Sequence, residues 1–410
     1  MLVWLAPVVV FGLVIFVHEL GHFLAAKAVG VYAPRFSIGF GPALLKKRWG
    51  ETEYVLALLP LGGYVRMASR EDETMALLEG GGEKLPSRDG VPATVGGSGA
   101  GTIAGDDQVP EGIRPEDWDP EAMVPFGPKP VPEERYFESR SLPARLLILI
   151  AGVAMNVALG FVAFTGTYAW YGAPYRHAVI DSVLADMPAA RAGLQQGDSV
   201  LRVEGVPVRT FEDLVLAVGP NAGREITLDV QRDGREVAIR LSPEATTVTN
   251  PLTGEERLEG RIGAVPTDRI GRDRIPIGQA TALGWDRTWE AAGAVVTILR
   301  RMVTGRESME NLGGPVAIAQ ISVAAARTGV ENLLALLAFL SVNIGIFNLL
   351  PIPILDGGQI VVNVLEAAKG SAFSARTKEY ILRAGLALIL ALFVFVMFND
   401  VRNLLRTMFT

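Results

Sequence analysis

The sequence predicts a polytopic α-helical membrane protein of about four transmembrane helices, with a re-entrant β-hairpin and one inserted soluble α+β module. Three observations predict it. Half of the 410 residues are hydrophobic, yet 20% are charged, too many for membrane spans alone. The apolar residues gather in four runs, about Leu2–Val29, Leu146–Trp170, Leu333–Leu350 and Leu382–Phe398, near the length that crosses a bilayer. Between the second and third runs, short alternating segments punctuated by Gly and Pro read as a soluble domain.

The first run holds Val17-His18-Glu19-Leu20-Gly21-His22. On a helix His18 and His22 stand one turn apart on one face, while Glu19 is turned about 100° away. Two neutral imidazoles so placed can share one Zn²⁺ and leave the glutamate to handle protons. Three ionisable side chains in an apolar span each cost about 2.5–3.5 kcal/mol at the bilayer centre unless something offsets them. A metal would. The run lacks a basic start and is too long for a cleaved signal peptide. Lys27, Arg35 and Lys46-Lys47-Arg48 follow it and nothing basic precedes it, so its N-terminus is expected outside and residue 30 onward in the cytoplasm.

Residues 31–67 change character. Gly30, Pro34, Gly39, Gly41 and Pro42 break helix, and Arg35–Ile38 and Glu53–Leu58 read as short strands. Leu58-Leu59-Pro60-Leu61-Gly62-Gly63-Tyr64-Val65 is apolar but too short to span. It predicts a re-entrant or interfacial hairpin, which is tolerated at membrane depth where it lines a cavity or is covered by protein. From about Arg70 to Pro132 the chain is acidic and Gly/Pro-rich, the composition of a disordered cytoplasmic insertion. The net charge of −6 is unevenly placed and implies no nucleic-acid partner, and the lack of cysteine removes disulfides, thiolate ligands and a thiol nucleophile.

Arg140 and Arg145 precede the second run, and Trp170-Tyr171 end it in an aromatic belt. Gly152 and Asn156 lie four apart on it; a small residue permits close helix contact, and an intramembrane asparagine either bridges helices or serves a site. In the module, strands are expected at Ala178–Val183, Ser199–Val203, Glu225–Gln231 and Glu236–Leu241, with a capped short helix after Met187 and a second helix at about Thr210–Val218. The run Pro188-Ala189-Ala190-Arg191-Ala192-Gly193-Leu194-Gln195-Gln196-Gly197-Asp198, followed by Val203-Glu204-Gly205, resembles a PDZ domain of the permuted bacterial kind. That resemblance implies a strand edge, here Ala178–Val183, that can capture an extended peptide or C-terminus; the module's place between the second and third runs favours instead an external gate that excludes substrates with bulky outer domains. Thr246–Arg274 reads as a linker or the module's tail, and Trp285–Met302 and Leu312–Ala326 as amphipathic helices suited either to a lipid surface or to packing against the module.

The third run stops at Asn348-Leu349-Leu350-Pro351-Ile352-Pro353-Ile354-Leu355-Asp356-Gly357-Gly358. A lone aspartate in this setting needs a partner, and a metal is the best available; the alternative is that Asp356 caps the next helix. His177, the one histidine outside the motif, reads as structural or exposed.

Together, the His-Glu-Leu-Gly-His core, Pro60-Leu61-Gly62-Gly63-Tyr64, the Ala-Gly-x-x-x-Asn of the second run, one PDZ module and the Asn348–Gly358 motif resemble the site-2 protease family of intramembrane zinc metalloproteases. The match is nearest the bacterial regulator of sigma-E protease type. The resemblance implies regulated intramembrane proteolysis of single-span membrane proteins, such as an anti-sigma factor, after a first extracytoplasmic cut. It implies a bacterial cytoplasmic (inner) membrane location, with the PDZ module extracytoplasmic and the active site toward the cytoplasm. His18, His22 and Asp356 map to the zinc ligands, Glu19 to the catalytic base, and Asn348 to a substrate-orienting asparagine. Gly62, Gly63 and Asn156 are the further expected substrate contacts. Val153 stands where many relatives have Pro, and only one PDZ module fits the chain.

The expected division is a first helix to residue 30, a hairpin region 31–67, an insertion 68–140 and a second helix 141–172. A PDZ domain at 173–245, linker and amphipathic helices at 246–328, the third helix with its motif at 329–358, and a cytoplasmic segment with the fourth helix at 359–410 complete it. The competing class is a non-catalytic PDZ-bearing membrane scaffold with a structural metal, which requires a fourth protein ligand.

Overall fold

The computed structural model describes residues 2–69, 119, 122–127, 129–249, 256–268, 270–306 and 313–409. The stretch expected to be disordered therefore lies, over residues 70–118, outside the described residues. The chain divides into two compact units, Met1–Phe164 with Asp286–Thr410, and Thr165–Trp285. Four helices among the described residues are long and apolar enough to cross a membrane: Val3–Ala28, Leu142–Tyr171, Val330–Asn348 and Arg376–Arg402. This is a polytopic membrane protein.

In the first unit, α1 (Ala6–Ala28) begins with a proline in its first turn and ends near Lys27, both favoured at those positions. Two strands follow, β1 (Arg35–Trp49) and β2 (Thr52–Arg66), much longer than the short segments the alternation suggested. Each folds back on the other. Residues 35–38 pair with 53–56 in ascending register and with 63–66 in descending register, while 45–49 pair with 52–56. Two strands thus make a curled sheet of four segments, with 63–66 at one edge. Gly39 (φ +91°) and Gly41 (φ +86°) occupy the bend, where a side chain would be strained. Glu51, at the turn between the strands, takes Lys27 Nζ at 2.6 Å and two Arg135 nitrogens at 2.8 Å, tying the sheet to the end of α1.

Helix α2 (Leu142–Tyr171) packs on α1 at Gly21 and Gly152. The second unit starts within its last turns. There β3 (Ala173–Arg176), β4 (Ile180–Val183), a short α3 (Pro188–Arg191), β5 (Ser199–Val203), β6 (Val206–Pro207) and α4 (Phe211–Val218) precede β7 (Ile226–Arg232) and β8 (Arg235–Leu241). The sheet order is β6-β5-β7-β8. Ile180, Val200, Leu214, Leu228 and Val230 fill its core, the inward halves of alternating strands. Thr210 and Asp213 form a capping box on α4, whereas α3 has no side-chain cap.

Two expectations for this unit are corrected. Of the two readings of residues 246–274, the linker gives way to the tail of the module: β9 (Glu244–Thr249), β10 (Glu256–Arg261), β11 (Ala264–Pro266) and β12 (Ile270–Asp273) lie there, within the second unit. Second, the edge at Ala178–Val183 is occupied. β4 pairs with β11 on one side, and Val179 bridges Ser199 on the other. Residues 264–273 hid two strands that pair with distant partners, β11 with β4 and β12 with β3, a preference no local pattern carries.

Beyond it, α5 (Ile277–Val303), α6 (Pro315–Thr328), α7 (Val330–Asn348), α8 (Asp356–Lys369) and α9 (Ala375–Phe409) complete the chain. In the first unit Val10 and Val14 of α1 pack on Leu337 and Leu340 of α7. Asp400 of α9 accepts the backbone N–H groups of Gly314, Val316 and Ala317 at 2.9–3.1 Å, closing the N-terminus of α6. Along α9 most apolar side chains face outward, as a lipid-facing helix requires.

Candidate metal centre

Helical spacing puts His18 and His22 on the α2 face of α1, both buried. Their rings stand at 89°, with Nε2 atoms 3.1 Å apart. The room for them is made by glycine. A Cβ at Gly152 would lie 2.4 Å from His22 Nε2 and 2.9 Å from His18 Cε1, and one at Gly21 would lie 2.4 Å from the Ala151 carbonyl oxygen. Helices α1 and α2 can approach this closely because neither carries a side chain at the crossing.

Asp356 arrives from the other end of the chain. Helix α7 stops at Asn348, the Pro351–Pro353 segment turns the backbone, and Asp356 opens α8. The turn is tight: Cβ atoms at Gly357 and Gly358 would stand 2.2 Å from the Leu349 oxygen and 2.1 Å from the Ile352 oxygen. The N-cap of α8 is Leu355 and no side chain caps it, so the capping alternative for Asp356 is overturned. Its Oδ2 instead lies 3.2 Å from His18 Nε2 and 3.4 Å from His22 Nε2.

These three atoms fit a zinc ion by geometry and by hydrogen count. Bonds of about 2.0–2.1 Å in a tetrahedron set ligand separations near 3.3 Å, against 3.1, 3.2 and 3.4 Å here. His22 Nδ1 donates to the Ile148 carbonyl at 2.8 Å, which leaves Nε2 of the neutral ring as a bare lone pair. It meets a carboxylate oxygen that itself receives no N–H or O–H. Acceptor facing acceptor in a buried site is costly unless a cation joins them.

A cavity of about 470 Å³ opens on this cluster, with Glu19, Gly63, Tyr64 and Asn348 in its wall. Gly63 stands where a Cβ would be 3.3 Å from Glu19 Cγ, and Gly62 where one would enter the Phe40 ring. Asn348 Nδ2 is 3.4 Å from His18 Nε2. Away from the cluster the wall becomes polar, with Arg145 donating to Asn363 and Lys378 to Glu366, each at 2.8 Å. Of the residues singled out in the sequence, His18, Glu19, His22, Gly63, Asn348 and Asp356 share this cavity. Asn156 does not. It has no exposed surface and faces His18 Nδ1 at 3.3 Å, a correction to its expected place among substrate contacts. His177 lies in the second unit, its ring against Tyr175. The role of Ile148 was missed, since a backbone carbonyl leaves no trace in a pattern, whereas Gly152 was expected to permit close helix contact and stands at the α1–α2 crossing.

Two histidines on one membrane-spanning helix and a carboxylate brought to them form a candidate site for a divalent metal. Residues 6–392 match the model of peptidase family M50. The regulator of sigma-W protease RasP of Bacillus subtilis is 31% identical, over 98% of this chain and 98% of its own. The zinc metalloprotease RasP of Geobacillus kaustophilus is 31% identical over 97% of each chain, and that of Bacillus licheniformis 30% over 98% of this chain and 99% of its own. The chain belongs to peptidase family M50, the site-2 proteases. It is a zinc-dependent, multi-pass membrane protease, and the scaffold alternative is set aside.

Proposed function

We propose that this protein is an intramembrane endopeptidase of regulated intramembrane proteolysis. It cuts single-span membrane proteins, such as an anti-sigma factor, after a first extracytoplasmic cleavage. The observation that carries this reading is the convergence of His18, His22 and Asp356 in a cavity shared with Glu19 and the 63–66 strand edge. His18, His22 and Asp356 are the ligands. Bound there, zinc supplies a Lewis acid and an acidified water.

The chain's own groups do the rest. Glu19 follows His18 by one residue and is turned off the ligand stripe, so its carboxylate takes a proton from the attacking water and passes it to the leaving nitrogen. A helical substrate hides its carbonyls and must be unwound first. The sheet of β1 and β2 is the re-entrant hairpin, and its 63–66 edge, floored by Gly62 and Gly63, holds the unwound strand by β-addition. Asn348 hydrogen-bonds the substrate backbone beside the ligands. The exposed Leu44, Leu45, Leu58 and Leu59 of the sheet suit lipid contact.

The charges Lys27, Arg35 and Lys46-Lys47-Arg48 orient the chain in the bacterial cytoplasmic membrane with the site toward the cytoplasm. The PDZ module, residues 173–245 extended by the strands to Asp273, is extracytoplasmic. With the Ala178–Val183 edge occupied, a peptide would add at β11, which ends its sheet. The test is cleavage of a model single-span substrate reconstituted in vesicles, beside metal analysis. Wild type is expected to cut within the span; Glu19→Gln is expected to keep about one zinc and lose roughly 10²–10⁴ in rate. Cleavage confined to soluble segments, or normal turnover by Glu19→Gln, would overturn the reading.

A further inference from the structure

One face of α2 carries three residues spaced by four, Ile148, Gly152 and Asn156, which fall on a single stripe. Ile148 offers its carbonyl to His22 Nδ1 at 2.8 Å, Gly152 makes room for both rings, and Asn156 reaches His18 Nδ1 at 3.3 Å. The stripe forms a back wall for both imidazoles.

Asn156 has no exposed surface, so no substrate can touch it. Nor does its amide bridge α2 to α7. The α7 contact uses its backbone, whose carbonyl accepts from Ser341 Oγ at 2.8 Å, and Gly345 lets α7 come close enough. Its side-chain Oδ1 is buried without a partner while Nδ2 faces the ring. In that rotamer the amide donates to Nδ1, which places the histidine proton on Nε2 and blocks it toward a metal. The amide oxygen and nitrogen are nearly the same size. A half-turn of the amide exchanges them in the same space, gives Oδ1 a donor and leaves Nε2 bare.

We propose that Asn156 is a positioning residue of the zinc site: its amide oxygen accepts the Nδ1–H of His18 and so fixes the tautomer that presents Nε2 beside His22 Nε2 and Asp356 Oδ2. The proposal rests on the reading of His18 as a ligand. Oxygen partners of this kind orient ligand imidazoles and raise their basicity. The same function is performed for His22 by the Ile148 carbonyl, so the two rings are held by one side-chain acceptor and one backbone acceptor.

The test measures zinc affinity by competition with a chromophoric chelator on the purified full-length protein, for wild type, Asn156→Leu, Asn156→Asp and His18→Ala. Asn156→Leu keeps the volume without an acceptor and is expected to weaken zinc binding about 10–100-fold. Asn156→Asp keeps an acceptor and should bind zinc within a few-fold of wild type or better. Equal affinity for Leu and wild type would overturn the proposal; so would an equal loss for Leu and Asp, since volume rather than acceptance would then matter. If His18→Ala binds zinc normally, the ligand reading fails; if it loses zinc while Asn156→Leu does not, only the role of Asn156 fails. Should the Leu variant not fold, ¹⁵N spectra of histidine-labelled, zinc-loaded wild type decide, with three histidines to assign. A protonated Nδ1 on His18 supports the proposal, and a bare Nδ1 overturns it.

Discussion

Two aspartates, one in each unit, show how differently the same side chain can be satisfied. Asp198 in the second unit is sealed, and Arg232 grips both oxygens at 2.7 and 2.6 Å while the Gln195 N–H adds a third bond. Asp356 is less deeply placed, with 17% of its side chain exposed, but its buried Oδ2 meets only the Nε2 atoms of two imidazoles. The first is a closed account of charge and donors, and it does structural work. The second is short by one cation. A buried acceptor cluster that the chain leaves unsatisfied marks where a ligand belongs.

The sharpest way to break this comparison is to truncate both. Asp356→Ala should abolish stoichiometric zinc, read by elemental analysis, and with it proteolysis, while strands β5–β8 keep their protection from hydrogen exchange. Asp198→Ala should do the opposite, leaving zinc in place and lowering the melting temperature of the second unit, because the Arg232 and Gln195 N–H groups lose their acceptor. Zinc retained by Asp356→Ala would dissolve the distinction.

Next in size is the packing that makes the open site possible. Gly152→Ala drives a methyl into His22 and should weaken zinc binding at least about 10-fold, comparable with losing an outer partner. Gly166→Ala on the same helix meets nothing within 4 Å and should leave affinity unchanged. Similar losses in both would show that helix packing in general, rather than this crossing, sets the affinity.

The site was legible in the sequence because its chemistry is local in two places: His18 and His22 share a turn, and the Pro-x-Pro break announces Asp356. The four spans were legible because apolar runs of that length have few other uses. What could not be read was partnership across the chain. Nothing local to Asn156 says that it will meet His18 rather than substrate, and nothing local to Ala264–Pro266 says that it will cover β4. The curled sheet was underestimated for a related reason. Its bend is made by Gly39 and Gly41, which read as helix breakers beyond a short strand ending at Ile38 when they are in fact interior to β1.

The smallest expected effect lies at the surface of the first unit. The Arg135 guanidinium, then the Lys27 ammonium, hold Glu51 from its ordinary 4.5 down to about 2, against burial that raises it. A depressed carboxyl stabilises the folded state fully above pH 4.5, and that contribution fades as pH falls toward about 2. Thermal unfolding of wild type and Glu51→Gln in detergent should therefore differ above pH 4.5 and converge below it. A gap that widens on acidification would contradict the ion-pair account.

The central claim, that two histidines and one aspartate gathered from opposite ends of the chain hold zinc, is tested most directly by X-ray absorption at the zinc edge of the purified protein. The expected spectrum has two imidazole nitrogens at about 2.0–2.1 Å, with oxygen from Asp356 and water completing four ligands. The chain has three histidines and no cysteine, so the ligand count leaves little ambiguity. A fit needing one imidazole, or three with His177 among them, would contradict the account.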